Sequence, residues 1–279
     1  MGRMGNTRGG KMRTSSLTCF GVGDGLPCGD RHHASFLYRF GKTSILLDCG
    51  EPIDGSFKAG GLGYDLIDSL LVSHLHADHI GGFLMLMQGC WLEGRRKDLT
   101  VHMPGAAIHP VRQMMETALL FDELLKFRLR FAPLKAGKPI RVCDVRITPF
   151  PTTHLDGLRA RFQKRHRGAF DSYCFLLESG RRRIGHSADL GSPEDLEPLL
   201  ARPLDLLVCE MAHFTPKEIL SRLRGRRIKR IAFVHLARGY WEALPRIRRL
   251  AARMLPDIPH TFAKDGAVIP FSPPPEFGL

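Results

Sequence analysis

The 279-residue sequence lacks several features that would set its class at once. No apolar run approaches the roughly 20 residues of a membrane-spanning helix, so no membrane association is expected. Residues 1–15 are rich in glycine and arginine and hold no apolar h-region, which excludes a secretory signal. They are expected to be a flexible basic tail, with a mitochondrial targeting segment as the alternative. Cysteines number seven, an odd count with no Cys-x-x-Cys pair, and this argues against a disulfide framework. Cys49, Cys143, Cys174 and Cys209 lie in strand-like apolar runs, where a thiol behaves as a small hydrophobe. A reducing, cytoplasmic compartment is the expectation. The glycine-rich stretch Gly21-Val22-Gly23-Asp24-Gly25 has neither G-x-G-x-x-G spacing nor a terminal Lys-Ser/Thr. It is therefore not a phosphate-binding fingerprint, and tight backbone is its expected use. Acid is the scarcer charge: 28 Asp and Glu stand against 41 Lys and Arg, a formal net charge of +13. Such an excess attracts polyanions, and nucleic acid is the natural partner class.

The chain is 43% hydrophobic and long enough to bury a large core as one domain, expected over 16–279. No internal repeat and no linker divides it. Its most informative stretch is Ser73-His74-Leu75-His76-Ala77-Asp78-His79. The preceding apolar run Leu70-Leu71-Val72 reads as a short buried strand, so the ligand-type side chains sit where that strand ends. A turn there aims His74 and His76 at one point and Asp78 and His79 at a second. Neutral imidazole and carboxylate suit Zn²⁺, with Fe²⁺ and Mn²⁺ as alternatives.

His-x-His-x-Asp-His after a buried strand resembles the metal motif of the metallo-β-lactamase-fold hydrolases. The resemblance implies an α/β four-layer αββα sandwich with two divalent metals at one edge. It assigns His74 and His76 to one metal, and Asp78 and His79 to the other. His76 stands where the di-iron, oxygen-reducing members usually carry Glu, which favours hydrolysis. Asp48-Cys49-Gly50-Glu51, just ahead of the motif, resembles the ribonuclease Z branch more narrowly. Asp48, a carboxylate at a buried strand end, is expected to accept the second N–H of a ligand histidine. His154, after Pro151-Thr152-Thr153, matches the third metal histidine, and Asp189 the aspartate that bridges both metals. His235 matches the last metal histidine, and His235-Leu236-Ala237-Arg238-Gly239-Tyr240 is similar to the ribonuclease Z ending. By the same resemblance His213 and Glu210 assist proton transfer, His213 as donor to the leaving oxygen and Glu210 orienting it. The likeness runs over about 18–262.

Strands are expected at 16–20, 34–40, 43–48, 99–103, 128–133, 140–150, 172–178, 182–187, 204–209 and 231–234. Residues 80–91 read as one helix despite Gly81-Gly82. Thr215-Pro216-x-Glu218 reads as a capping box that starts another helix, leaving Glu210 and His213 in the loop before it. Leu244, Ile247, Leu250, Ala251 and Met254 mark a final amphipathic helix, and 269–279 a surface tail. His32, His33, His102, His109, His186 and Asp156 are read as structural or surface residues.

Arg159, Arg161, Lys164, Arg165 and Arg167 form a dense basic loop just after His154. With Arg238, they are the candidate phosphate contacts, and Phe162 and Phe170 are candidate stacking surfaces. A second basic cluster, Arg222 to Arg230, reads as a solvated helix-to-strand connection. The function expected is a phosphodiesterase on RNA, with tRNA 3′ processing foremost. Yet only 34 residues separate His154 from Asp189, too few for the long tRNA-gripping arm common in ribonuclease Z. The alternative is a small-molecule hydrolase acting on a cyclic phosphodiester, thioester or lactone. A third reading is a non-catalytic RNA-binding protein on the same fold. Many ribonuclease Z relatives are homodimers, an option the sequence neither supports nor removes.

Overall fold

The computed structural model describes residues 15–271. The expected N-terminal tail therefore lies outside the described residues but for Ser15, as does the C-terminal tail beyond Phe271. Among the described residues fourteen strands run in chain order: β1 Ser16–Gly21, β2 Ser35–Phe40, β3 Thr43–Leu47, β4 Ser69–Leu71, β5 Leu99–Pro104, β6 Leu129–Leu134 and β7 Ile140–Val142. They continue as β8 Val145–Pro151, β9 Tyr173–Ser179, β10 Arg182–His186, β11 Leu206–Met211, β12 Ile231–Leu236, β13 His260–Phe262 and β14 Ala267–Pro270. The α-helices are α1 Ile53–Ala59, α2 Ala77–Ile80, α3 Phe83–Leu92, α4 Ile108–Thr117, α5 Asp156–Phe162, α6 Glu197–Leu200, α7 Pro216–Leu223, α8 Arg238–Glu242 and α9 Leu244–Met254.

Two seven-stranded sheets result, ordered β14-β1-β2-β3-β4-β5-β6 and β13-β12-β11-β10-β9-β8-β7. Period-two patterning explains why they stack. Phe36, Tyr38, Ile45 and Leu47 of the first sheet meet Phe175, Leu177, Val208 and Val234 of the second in one buried core. The intervening Leu37 and Leu46 point the other way, to a core shared with α1 and α3. Leu207, Cys209, Ile231 and Phe233 likewise face a third core closed by α7 and α9. Alternation with apolar residues on both faces is what a sheet sandwiched between helices and another sheet requires. The layering is the αββα sandwich.

Strand direction brings the chemistry to one edge. β3 and β4 are parallel, as are β10, β11 and β12. β8 and β10 are each antiparallel to β9, so they share one direction. The segments after β3, β4, β8, β10 and β12 therefore emerge on one side, where open α/β sheets place their ligand sites.

Local departures from expectation have physical causes. The helix expected over 80–91 is broken into α2 and α3 at Gly81-Gly82, where the Gly82 N–H donates to the Cys49 carbonyl at 2.9 Å. The strand expected over 140–150 is a hairpin of β7 and β8 turning at Cys143, which is exposed with φ at 51°, not in an apolar run. Residues 269 and 270, expected in a surface tail, lie in β14 against β1, with Ile269 buried. Glu210 sits within β11, not in the following loop. Residues 159–162 of the expected basic loop lie in α5. Among the described residues no helix is long and apolar enough to cross a membrane.

Phe175 is fully buried between the sheets. Phe175→Ala is expected to destabilise the fold by about 3–5 kcal/mol, read as a lower denaturant midpoint at unchanged slope. A loss below about 1 kcal/mol would mean the inter-sheet core repacks around the gap.

Candidate metal centre

Each expected metal-binding residue stands at a strand end or just beyond it. His74 and His76 follow β4, Asp78 and His79 lie in α2, His154 follows β8, Asp189 follows β10, and His235 is the penultimate residue of β12. Asp48, Ala188 and His235 carry φ of 58°, 44° and 47°, a region that costs a non-glycine residue about 1–3 kcal/mol. All three lie where strands end at this edge, and the strain turns the side chains of Asp48, Asp189 and His235 toward a common centre.

The seven residues converge as two groups sharing Asp189. His74, His76, His154 and Asp189 form one, and Asp78, His79, His235 and Asp189 the other, with donor atoms in each within 4.8 Å of one another. Asp189 Oδ2 lies 3.6 Å from His154 Nε2 and 3.8 Å from His74 Nε2. Its Oδ1 lies 3.2 Å from His79 Nε2 and 3.6 Å from His235 Nε2. Asp78 Oδ2 is 3.1 Å from His235 Nε2 and 3.5 Å from His79 Nε2, and His154 Nε2 is 3.1 Å from His76 Nδ1.

These spacings fit a cation. Ligand bonds of about 2.0–2.1 Å in a tetrahedral site put neighbouring donor atoms about 3.3 Å apart. His74 Nε2 is buried with no hydrogen-bond partner among the described residues, and buried polar atoms rarely remain so without a reason. A third group, Glu210, His213 and His235, suits a cation less. The Glu210 carboxylate already accepts from the backbone N–H of Leu190, Ala212 and His213 and from the His213 ring.

Charge at the centre is tightly balanced. Burial pushes His74 well down and His154 down to about 4, leaving both as neutral donors. Burial opposes protonation of His79 too, but the Asp189 and Asp48 carboxylates outweigh it and raise that ring well up. His235 likewise rises to about 9, against burial, because Asp189 and Asp78 face it. Burial would raise Asp189, yet His235 and His79 hold it well below the usual carboxylate range. Protons and a metal ion therefore compete for the same atoms, and a cation here displaces protons.

The surrounding shell fixes the rings. Asp48 accepts from His79 Nδ1 at 2.7 Å, from the Ser73 N–H at 2.7 Å and from the Ser73 hydroxyl at 2.8 Å. His213 Nδ1 meets Glu210 Oε1 at 2.8 Å, which leaves Nε2 toward the centre, 3.9 Å from Asp189 Oδ2. The short helix α8 ties two neighbouring loops. The Arg238 N–H donates to Asp24 and its guanidinium to the Pro27 carbonyl, while the Tyr240 hydroxyl donates to the Phe214 carbonyl.

Sequence reasoning missed Asp195. Its carboxylate accepts from the N–H groups of Thr153, Gly191 and Ser192, so it laces the His154 loop to the Asp189 loop. The signal available was the Ser192-x-x-Asp195 capping box, which foretells a helix start but not the partner loop. Gly191 permits this closeness, since a Cβ there would lie 2.2 Å from the Thr153 carbonyl carbon. Among residues read as structural, His186 is buried and bonded to the Tyr38 hydroxyl at 2.7 Å, between the sheets.

The basic stretch flanks the opening beyond His154. Arg159 is held by Asp171 and the Phe170 carbonyl, so its guanidinium braces the loop. Arg161, Lys164, Arg165 and Arg167 are exposed, and the guanidinium groups of Arg161 and Arg165 lie 5.0 and 5.7 Å from the Phe162 ring centroid.

Comparison with known proteins gives a consistent outcome. Residues 43–255 match the beta-lactamase superfamily domain. A ribonuclease Z of Archaeoglobus fulgidus is 27% identical over 50% of this chain, an alignment that spans 44% of that relative. The ribonuclease Z of Methanothermobacter thermautotrophicus is 26% identical over 80% of this chain and 87% of its own length. The solved metallo-beta-lactamase fold protein YhfI from Bacillus subtilis superposes with a TM-score of 0.73 at 18% identity, covering 91% of this chain and 98% of its own.

Asp48→Asn is expected to weaken metal binding by roughly 10–100-fold, measured by competition with a chromophoric chelator. Unchanged affinity would show that His79 needs no carboxylate behind it. Gly191→Ala should lower bound metal per chain, read by elemental analysis after dialysis, and full occupancy would mean the two loops need not touch.

Proposed function

The chain belongs to the beta-lactamase superfamily, and we propose that it is a metal-dependent phosphodiesterase acting on RNA, of the ribonuclease Z kind. The observation that carries this reading is the pair of His/Asp groups sharing the Asp189 carboxylate. One divalent ion, zinc in the first instance, would be held by His74, His76, His154 and Asp189, and a second by Asp78, His79, His235 and Asp189. Bound there, such ions would supply Lewis-acid activation of water for attack at phosphorus.

The chain's own residues supply the rest. Asp48 orients His79, and Asp195 holds the His154 and Asp189 loops together. His213 stands at the opening with Nδ1 held by Glu210, so its Nε2 is the atom placed to give a proton to the leaving oxygen. Arg161, Lys164, Arg165 and Arg167 would receive the phosphates flanking the scissile bond, and the Phe162 ring beside them offers a face on which a base can stack. The relatives named ribonuclease Z support RNA as the substrate class, with tRNA 3′ processing the first activity to try. All seven cysteines are free, which goes with a reducing, cytoplasmic setting.

A second reading is hydrolysis of a small phosphodiester. It draws on the short stretch between His154 and Asp189, most of which is taken up by α5, β9 and β10.

The deciding assay is cleavage of a tRNA precursor with a 3′ trailer by protein reconstituted with Zn²⁺ or Mn²⁺. A discrete cut at the trailer junction, lost in Asp78→Ala, is the expected result. An intact precursor alongside hydrolysis of a generic small diester would move the assignment to the second reading. His213→Ala is expected to lower turnover about 10²–10⁴-fold at saturating substrate; unaltered turnover would remove His213 from proton transfer.

A further inference from the structure

The outward face of α9 is bare arginine. Arg246, Arg248, Arg249 and Arg253 are exposed, and among the described residues none of their guanidinium groups has a hydrogen-bond or ion-pair partner. The opposite face is buried through Ile247 and Ala251, against the core of the second sheet. Arg246, Arg249 and Arg253 stand at i, i+3 and i+7, one stripe along about 10.5 Å of helix at 1.5 Å per residue.

Topology gives the stripe a direction. β12 ends at the metal edge, and β13 lies parallel beside it, so α9 runs back from the metal edge toward the far edge. There its end joins Arg224–Lys229 in lining a cleft of about 570 Å³. The second basic cluster divides at this point. Arg222 and Arg226 are paired with Glu194 and Glu197, and Lys229 with Asp205. Arg224 and Arg227 are exposed without an acid partner among the described residues. The carboxylates nearest the stripe in the chain are Glu242, before α9, and Asp257, at the cleft.

We infer that α9 and the cleft at its end form a second binding track for the body of an RNA substrate, leading away from the metal edge. The inference rests on the RNA phosphodiesterase reading and extends it to how a long substrate is held. A ladder of free guanidinium groups suits a polymer of phosphates, each taken by planar paired donors. An anionic membrane fits less well. Helices that lie on bilayers also bury large apolar side chains, and none of the exposed large apolar residues lies on α9 or beside the cleft.

The test compares wild type with R246E/R249E/R253E, using a tRNA precursor, a small chromogenic phosphodiester and phosphatidylserine vesicles as probes. The expected result is at least tenfold weaker binding of the precursor at low salt. The slope of log affinity against log salt should become shallower by about 2, at roughly 0.7 for each phosphate left unneutralised. Turnover of the small diester should be unchanged, and R246K/R249K/R253K, which keeps the charge but not the paired donors, should bind between the Glu variant and wild type. If charge reversal disturbs folding, R246Q/R249Q/R253Q must still weaken precursor binding. Wild-type affinity and salt slope in the Glu variant, with the precursor still cut, would overturn this inference alone. A wild-type protein that turns over the small diester but neither binds nor cuts the precursor would overturn the RNA reading and this inference together. Arginine-dependent binding to vesicles with no change in RNA affinity would overturn the track in favour of a membrane surface.

Discussion

Everything at the functional edge depends on one buried carboxylate facing imidazoles from both sheets. Asp189 is 2% exposed, and its two oxygens divide His74 and His154 from His79 and His235. A charge so placed is costly unless compensated. The compensation comes from opposite halves of the chain, since His74 and His79 leave the first sheet while His154 and His235 leave the second. The sandwich must close before the carboxylate is matched, so site assembly and sheet packing are one event. This also accounts for the strained backbone at Ala188 and His235, since strain of that kind persists only where the surroundings over-determine it.

Much of this edge could be read from the chain alone. The apolar runs before His74 and His235 mark strands, and a polar residue of ligand type at the end of a buried run has few explanations besides a site. Asp48 was readable for the same reason. The sandwich followed from the resemblance carried by His74 to His79, and residue-by-residue matching extended it to His154, Asp189 and His235.

What escaped reading depends on neighbours distant in the chain. Asp195 looks like an ordinary capping residue until Thr153 is brought beside it. Arg159 reads as a free cation, and only the folded loop shows Asp171 and the Phe170 carbonyl on its guanidinium. The short strand Ala267–Pro270 was hidden because proline argues against a strand, except at an edge, and β14 is an edge strand of its sheet. Cys143 lies between two apolar segments and was absorbed into them, although the chain reverses there.

The excursion between His154 and β9 has a closed neck. The Thr152 N–H donates to the Ser172 carbonyl at 2.9 Å, and the two hydroxyls meet at 2.8 Å. With Thr153 also tied to Asp195, both ends are anchored independently of what lies between. Lengthening a loop whose ends are already fixed costs only about 0.6 kcal/mol per doubling. The segment carrying α5 is thus a cassette: it can be lengthened, shortened or exchanged with little thermodynamic consequence for the centre it borders. In such an arrangement the segment beside the opening can vary while the seven side chains at the edge keep their places.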